Sequence, residues 1–197
     1  MIDHDLTGEN ETAARFEAVA LPCLDALFGR ALSLTRRPED ANDLVQETYL
    51  RAFRNFSSFQ PGTNGKAWLF TIMYSIFVNQ YRKAKREPMI VSLDEQEEVF
   101  HHALADDNWE ASFAALEKSQ VNWQGPEVNS ALEKLPESFR AAILLVDVDE
   151  LNYEEAAAVL DCPVGTLRSR LFRARKLLFV ELRDYAQKTG FIRNNPV

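Results

Sequence analysis

Turn-forming residues are scarce in this chain of 197 residues: seven glycines and eight prolines are fewer than the tight turns of an all-β fold usually need, which favours helices. Cysteine is scarcer still. Cys23 and Cys162 are too few and too far apart for a disulfide scaffold, and they read as small, partly buried hydrophobes. Long apolar runs are also missing. The longest, such as residues 141–146, fall far short of the roughly 18 residues a membrane span requires, so no membrane insertion is expected. The opening Met1-Ile2-Asp3-His4-Asp5 is acidic where a secretory signal is basic and then apolar, which points to a cytoplasmic protein. There is no Gly-rich phosphate loop, no metal-binding His motif and no Ser-nucleophile signature, and the carboxylates form no catalytic constellation. His101 and His102 are adjacent and point apart. No enzyme, cofactor or metal site is expected. What is present, 46% hydrophobic and 26% charged residues, suits a soluble protein with a packed core.

A net charge of −8 argues at first against a nucleic-acid partner. Its distribution reverses that argument. Residues 1–14 carry four carboxylates and no cation, 15–90 carry eleven Lys and Arg against seven carboxylates, 91–126 one against eight, and 127–197 ten against eleven. A basic first block, an acidic middle and a balanced last block predict two modules on a linker. The divisions fall at an acidic tail (1–14), a first domain (15–90), an acidic linker (91–126), a second domain (127–185) and a C-terminal tail (186–197). Within the second domain, residues 165–176 hold Arg168, Arg170, Arg173, Arg175 and Lys176 with no carboxylate.

Periodicity places the helices. Leu24, Leu27, Phe28, Ala31 and Leu34 mark one, after Pro22 at a position where a first turn tolerates proline. A second opens at Pro38 with Glu39 and Asp40 at its positive end, burying Ala41, Leu44, Val45, Thr48 and Ala52 and turning Asp40, Asp43, Glu47, Leu50 and Arg54 outward. Residues 55–65 read as a loop, yet they contain Phe56 and Phe59, which a plain connection does not need. A third helix runs from Ala67 to about Arg86, with Leu69, Ile72, Met73 and Ile76 as core and the aromatics Phe70, Tyr74, Phe77 and Tyr81 partly at the surface beside Arg82-Lys83-Ala84-Lys85-Arg86. Aromatics next to cations suit unpaired bases. The linker contains one short helical pattern at Trp109, Phe113 and Leu116. Further helices are marked by Val128, Leu132 and Leu135, by residues 139–146, and by Asn152 with Glu155, a capping-box start for a helix to Leu160.

Asp161-Cys162-Pro163-Val164 then separates that helix from the cationic one, the pattern of a helix-turn-helix whose second helix enters the major groove. At 100° per residue, Leu167, Leu171, Ala174 and Leu178 share one narrow buried sector. Thr166, Ser169, Arg173 and Lys176 project the opposite way, with Phe172 beside them and Arg168 and Arg170 at the two edges, where base edges and phosphates would be met. A solvated bundle helix would intersperse Glu among these cations, and none is there. Phe172 suits either a thymine methyl or a packing contact.

From Tyr153-Glu154-Glu155-Ala156-Ala157 through Cys162-Pro163-Val164-Gly165-Thr166-Leu167-Arg168-Ser169-Arg170-Leu171-Phe172-Arg173-Ala174-Arg175, the chain resembles the C-terminal DNA-binding domain of extracytoplasmic-function sigma factors. Ala131-Leu132-Glu133-Lys134-Leu135-Pro136-Glu137-Ser138-Phe139-Arg140 fits the same domain, which in that family reads the minus-thirty-five promoter element as duplex. Asp161 stands where the family commonly has Gly, and Asp tolerates a left-handed backbone. The segment from Asp40 to Phe53 resembles the one that docks on the coiled coil of the polymerase β′ subunit, which assigns Asp40, Asp43, Gln46, Glu47 and Leu50 to core polymerase. The third helix and the loop before it resemble the part that captures the melted minus-ten strand, which assigns Phe56, Phe59, Asn64, Lys66, Trp68, Tyr74, Ser75, Asn79 and Arg82 to single-stranded DNA. Ser75 and Asn79 stand where the family often has Asn and Asp, so the resemblance implies the general role and leaves the identity of the recognised base open. Phe77-Val78-Asn79-Gln80-Tyr81-Arg82-Lys83 with Arg86-Glu87-Pro88 resembles a subgroup held by zinc-containing anti-sigma factors.

The resemblance implies an all-α protein of two small helical domains joined by an acidic linker, with core RNA polymerase (β′ and β), promoter DNA and an anti-sigma factor as partners. Physics supports the first partner. Unstacking a base costs a few kcal/mol and stacking it on an aromatic returns about 1 to 3, so strand opening needs contacts beyond this chain. The acidic linker would mimic nucleic acid in a polymerase channel or cover the cationic helix. Two other readings are a DNA-acting nuclease or recombinase and a regulator that does not dock on polymerase; either would elute apart from core polymerase.

Overall fold

The computed structural model describes residues 3–85 and 125–188, and side chains within 10–79 and 125–185. Helices and no strands occur among them. The chain divides into two compact units, one holding residues up to 87 together with 158–161 and the other holding the rest.

In the first unit, α1 (Asp3–Ala20) runs into a 3₁₀ turn (Leu21–Cys23), followed by α2 (Leu24–Thr35), α3 (Pro38–Arg54), a second 3₁₀ turn (Phe56–Ser58) and α4 (Gly65–Lys85). Residues 1–14 therefore do not form a separate tail; α1 takes in all but its first two residues. Acidic composition masks a helical period in which Phe16 and Ala20 are buried and Ala13 is half-buried. Leu27 and Ala31 of α2 are fully buried, whereas Leu24 remains exposed at the junction with the turn. All five inward positions expected on α3 are buried, and Thr48 Oγ1 settles its hydroxyl there by donating to Leu44 O at 2.7 Å. Each large apolar side chain so buried is worth about 1.5–3 kcal/mol.

Helix α4 packs against α1, α2 and α3, so its buried sector is wider than a two-sided contact would give. Leu69, Met73 and Ile76 are in the core as expected, but so are Phe70 and Tyr74, while Ile72 is half-buried. The aromatic stripe is thus core at its start. Tyr74, assigned from sequence to exposed DNA contact, supports the helix from inside. Gly65 opens α4 because a Cβ there would lie 2.5 Å from Val19 Cγ1 of α1, and Asn64 Oδ1 caps it by accepting from the Lys66 and Ala67 amides at 3.1 and 3.2 Å.

One stretch, Asn10–Thr35, is long and apolar enough by composition to cross a membrane, contrary to the reading from uninterrupted runs. Here it is two helices broken by the turn at Pro22, with Phe16, Ala20, Leu27 and Ala31 supplying part of the unit's core.

In the second unit, α5 (Pro126–Lys134) is followed by α6 (Glu137–Ile143) with a π turn (Leu144–Val148), then α7 (Tyr153–Val159) and α8 (Val164–Lys188). The capping box is reciprocal: Glu155 N donates to Asn152 Oδ1 at 2.8 Å and Asn152 N to Glu155 Oε2 at 3.0 Å. Asp161 adopts φ 47°, the left-handed turn anticipated for it. Leu167, Leu171, Ala174 and Leu178 are all buried, against a core that includes Phe139, Ile143, Leu145 and Ala156. Helix α8 takes in the first residues of the expected C-terminal tail. The short helix expected around Trp109 lies outside the described residues.

Candidate nucleic-acid interface

On α8, Arg168, Ser169 and Phe172 are exposed, and Thr166, Arg170 and Arg173 half-buried. Ser169 Oγ donates to Thr166 O at 2.9 Å, fixing that hydroxyl on the outer turn. The Arg168 guanidinium lies 5.5 Å over the centroid of the Tyr153 ring on α7. Phe172, at 45% exposure, is not part of the core.

Lys176 departs from the expected face. It is only 4% exposed, and Leu177, Leu178 and Phe179 are buried with it. Four successive buried residues mean that α8 is enclosed all round at this level. A wheel drawn for one buried stripe misplaces the lysine there, so Lys176 does not belong to the exposed DNA-facing set. Arg175 is likewise engaged inside the unit: its Nε and Nη2 donate to Asp147 Oδ2 and Oδ1 at 3.0 and 2.5 Å. The Asp147 side chain is 2% exposed and is delivered by the π turn. The cationic run thus separates into an outward set, Arg168, Arg170 and Arg173, and an inward pair.

In the first unit the loop 55–65 is held by its own bonds. Asn55 Nδ2 donates to Arg51 O at 2.8 Å, Ser58 Oγ to Asn55 O at 2.7 Å, Thr63 Oγ1 to Gln60 O at 2.7 Å, and Gly62 turns at φ 87°. Its two phenylalanines divide the work. Phe56 is buried, edge-on to Phe16 of α1 at 5.4 Å, which corrects its assignment to exposed DNA contact: it anchors the loop. Phe59 is half-buried, stacked on Phe56 at 5.7 Å and tilted against the half-buried Trp68 at 5.1 Å. Phe59 and the exposed Asn64 amide sit on a loop already in place, beside Trp68 on the first turn of α4. Lys66 is half-buried, and its charge reaches Cys23, whose thiol pKa burial raises and Lys66 partly lowers again. Further along α4, Ser75 and Asn79 are exposed one turn apart, with a long contact of 3.5 Å from Asn79 Nδ2 to Ser75 Oγ. The Arg82 side chain lies outside the described ones.

The outer face of α3 shows Asp43, Gln46 and Leu50 exposed and Asp40 and Glu47 half-buried. Leu50 is 52% and Phe53 47% exposed, an apolar seam beside the carboxylates. Two carboxylates already have partners: Arg51 Nε donates to Glu47 Oε1 at 2.6 Å, and Arg37 lies 3.7 Å from Asp40. Behind this face Tyr49 donates to Ala20 O at 2.8 Å, tying α3 to the end of α1, and burial pushes its phenol up to about 12. Sequence reasoning gave no separate role to Phe16, Asp147 or Tyr153. The capping box was the available signal for the last, since it fixes Tyr153 at the first residue of α7. Among the described residues no three His, Cys, Asp or Glu side chains gather as a metal site would require.

Two family descriptions match the chain, Sigma-70 region 2 over residues 22–87 and Sigma-70, region 4 over residues 127–178. The ECF RNA polymerase sigma factor EcfG of Rhodopseudomonas palustris is 40% identical over 163 residues, covering 81% of this chain and 78% of that protein. SigE of Mycolicibacterium smegmatis is 33% identical over 184 residues, covering 93% and 66%. Among solved structures, the sigma factor RpoE of Bartonella quintana, crystallised with the anti-sigma factor NepR, is 34% identical with a TM-score of 0.63, covering 86% of this chain and 97% of that one.

Proposed function

Because this chain belongs to the extracytoplasmic-function subfamily of the sigma-70 family of RNA polymerase sigma factors, we propose a division of promoter recognition between its two units. As a sigma factor it binds core polymerase and directs promoter-specific initiation. The second unit grips the minus-thirty-five duplex with Thr166, Arg168, Ser169, Arg170, Phe172 and Arg173. The first takes the melted minus-ten strand on Phe59, Asn64, Lys66, Trp68, Ser75, Asn79 and Arg82, with Phe56 and Tyr74 as buried supports. The face of α3, with Asp40, Asp43, Gln46, Glu47 and Leu50, docks on the β′ coiled coil. Catalysis belongs to the polymerase, so the chain is not itself an enzyme and works in the cytoplasm beside it.

The observation that carries this reading is the first half of α8: one side packed by Leu167, Leu171, Ala174 and Leu178, the other, over residues 165–176, offering Arg and hydroxyl groups without a carboxylate. An anti-sigma factor as regulator is proposed on the likeness to RpoE, which was crystallised with one. Its zinc-containing kind rests only on the motif resemblance around residues 77–88. Docking is tested by passing the protein with core polymerase over a sizing column. The wild type co-elutes, and Glu47→Lys, which also sets a second cation beside Arg51, binds about tenfold more weakly with an unchanged circular dichroism spectrum. Undiminished co-elution of that variant would place docking elsewhere.

A further inference from the structure

We propose that Tyr153 is a positioning residue for duplex recognition, its ring holding the Arg168 guanidinium ready for a DNA phosphate. The proposal rests on reading α8 as the duplex-gripping helix. Arg168 stands at the edge of the outward face, where the backbone of a duplex in contact with Ser169 and Arg173 passes. It is exposed, and an exposed arginine loses rotamer freedom when it grips a ligand. The ring removes part of that loss in advance, because the guanidinium already lies 5.5 Å over its centroid, within cation–π range.

The platform is set by the start of its own helix. Tyr153 is half-buried and opens α7 directly after Asn152, whose reciprocal bonds with Glu155 set the backbone at this end of the helix. Ala156 and Ala157 are buried and hold the middle of α7 in the core. The first helix of the motif therefore aims a side chain of the second. This differs from a hydroxyl contact to DNA by Tyr153, which would need the phenol oxygen and not the ring face, and from a staple between two helices, which would act on stability alone.

The test uses full-length protein in holoenzyme, with a promoter duplex selected by that holoenzyme from a randomised pool as the probe, and measures affinity across a salt series together with thermal unfolding. Tyr153→Phe keeps the ring and binds as the wild type does. Tyr153→Leu binds about 2- to 5-fold more weakly at unchanged salt slope and unfolding temperature. Arg168→Ala weakens binding and lowers the salt slope by about 0.9, the loss of one phosphate contact, and adding Tyr153→Leu to it costs nothing more. Four results overturn the proposal: Tyr153→Phe as damaging as Tyr153→Leu, a Tyr153→Leu loss that persists beside Arg168→Ala, a loss that only follows a lower unfolding temperature, or Arg168→Ala without effect. In that last case Arg173→Ala separates the two readings, because a loss there leaves α8 as the gripping helix and sinks only the role of Tyr153.

Discussion

Single side chains decide what α8 can read. Arg173 is half-buried on the outward face, and a bidentate arginine is worth roughly 1–3 kcal/mol of discrimination against the wrong base. Arg173→Ala should therefore lower affinity for the selected upstream element and flatten the preference at one or two base positions, measured by competition between selected and scrambled duplexes. Arg175 carries the same charge but is held by Asp147. In the first unit, Tyr49 makes a pH prediction. Its phenol ionises near about 10 in the unfolded chain and at about 12 in the folded one, so the proton is lost first from the unfolded state. That contribution to stability is complete below about pH 10 and disappears as pH rises towards 12. In denaturant titrations across this window, wild type should lose stability more steeply than Tyr49→Phe.

The elements most legible in the sequence are those with one buried stripe and a marked start. Helix α3 has Pro38 with two carboxylates at its head and one clean face; α7 has its capping box; and the inner sector of α8 appears as drawn through Leu178. Legibility ends where a helix is packed from several sides. Helix α4 touches three others, which puts Phe70 and Tyr74 inside, and the burial of α8 on all sides at residues 176–179 takes in Lys176. Helix α1 was hidden by its acids, and the π turn has no pattern in the 3.6-residue period. Loop 55–65 is half legible: Phe56 and Phe59 are unusual in a plain connection, but only the contact with Phe16 separates the one from the other. The turn between α7 and α8 yields a prediction at this scale. Asp161 at φ 47° is a position where a β-branched side chain costs about 1–2 kcal/mol and glycine nothing, so Asp161→Val should lower the unfolding midpoint while Asp161→Gly holds or raises it.

For the molecule as a whole, a net charge of −8 and an outward arginine face coexist because the charges are segregated along the chain. Acidic stretches oppose indiscriminate binding to DNA, and the local cations act once polymerase supplies the remaining contacts. The two units thus make sense together only on a larger machine that opens the duplex at the downstream element. Transcription in vitro tests this most directly, using core polymerase, genomic fragments and the purified protein, with start sites mapped by sequencing. New start sites should arise only when the protein is added, share an upstream and a downstream element at fixed spacing, and fade with Arg173→Ala. Fragment binding by the protein with no added start site, or start sites unchanged by its presence, would contradict the account.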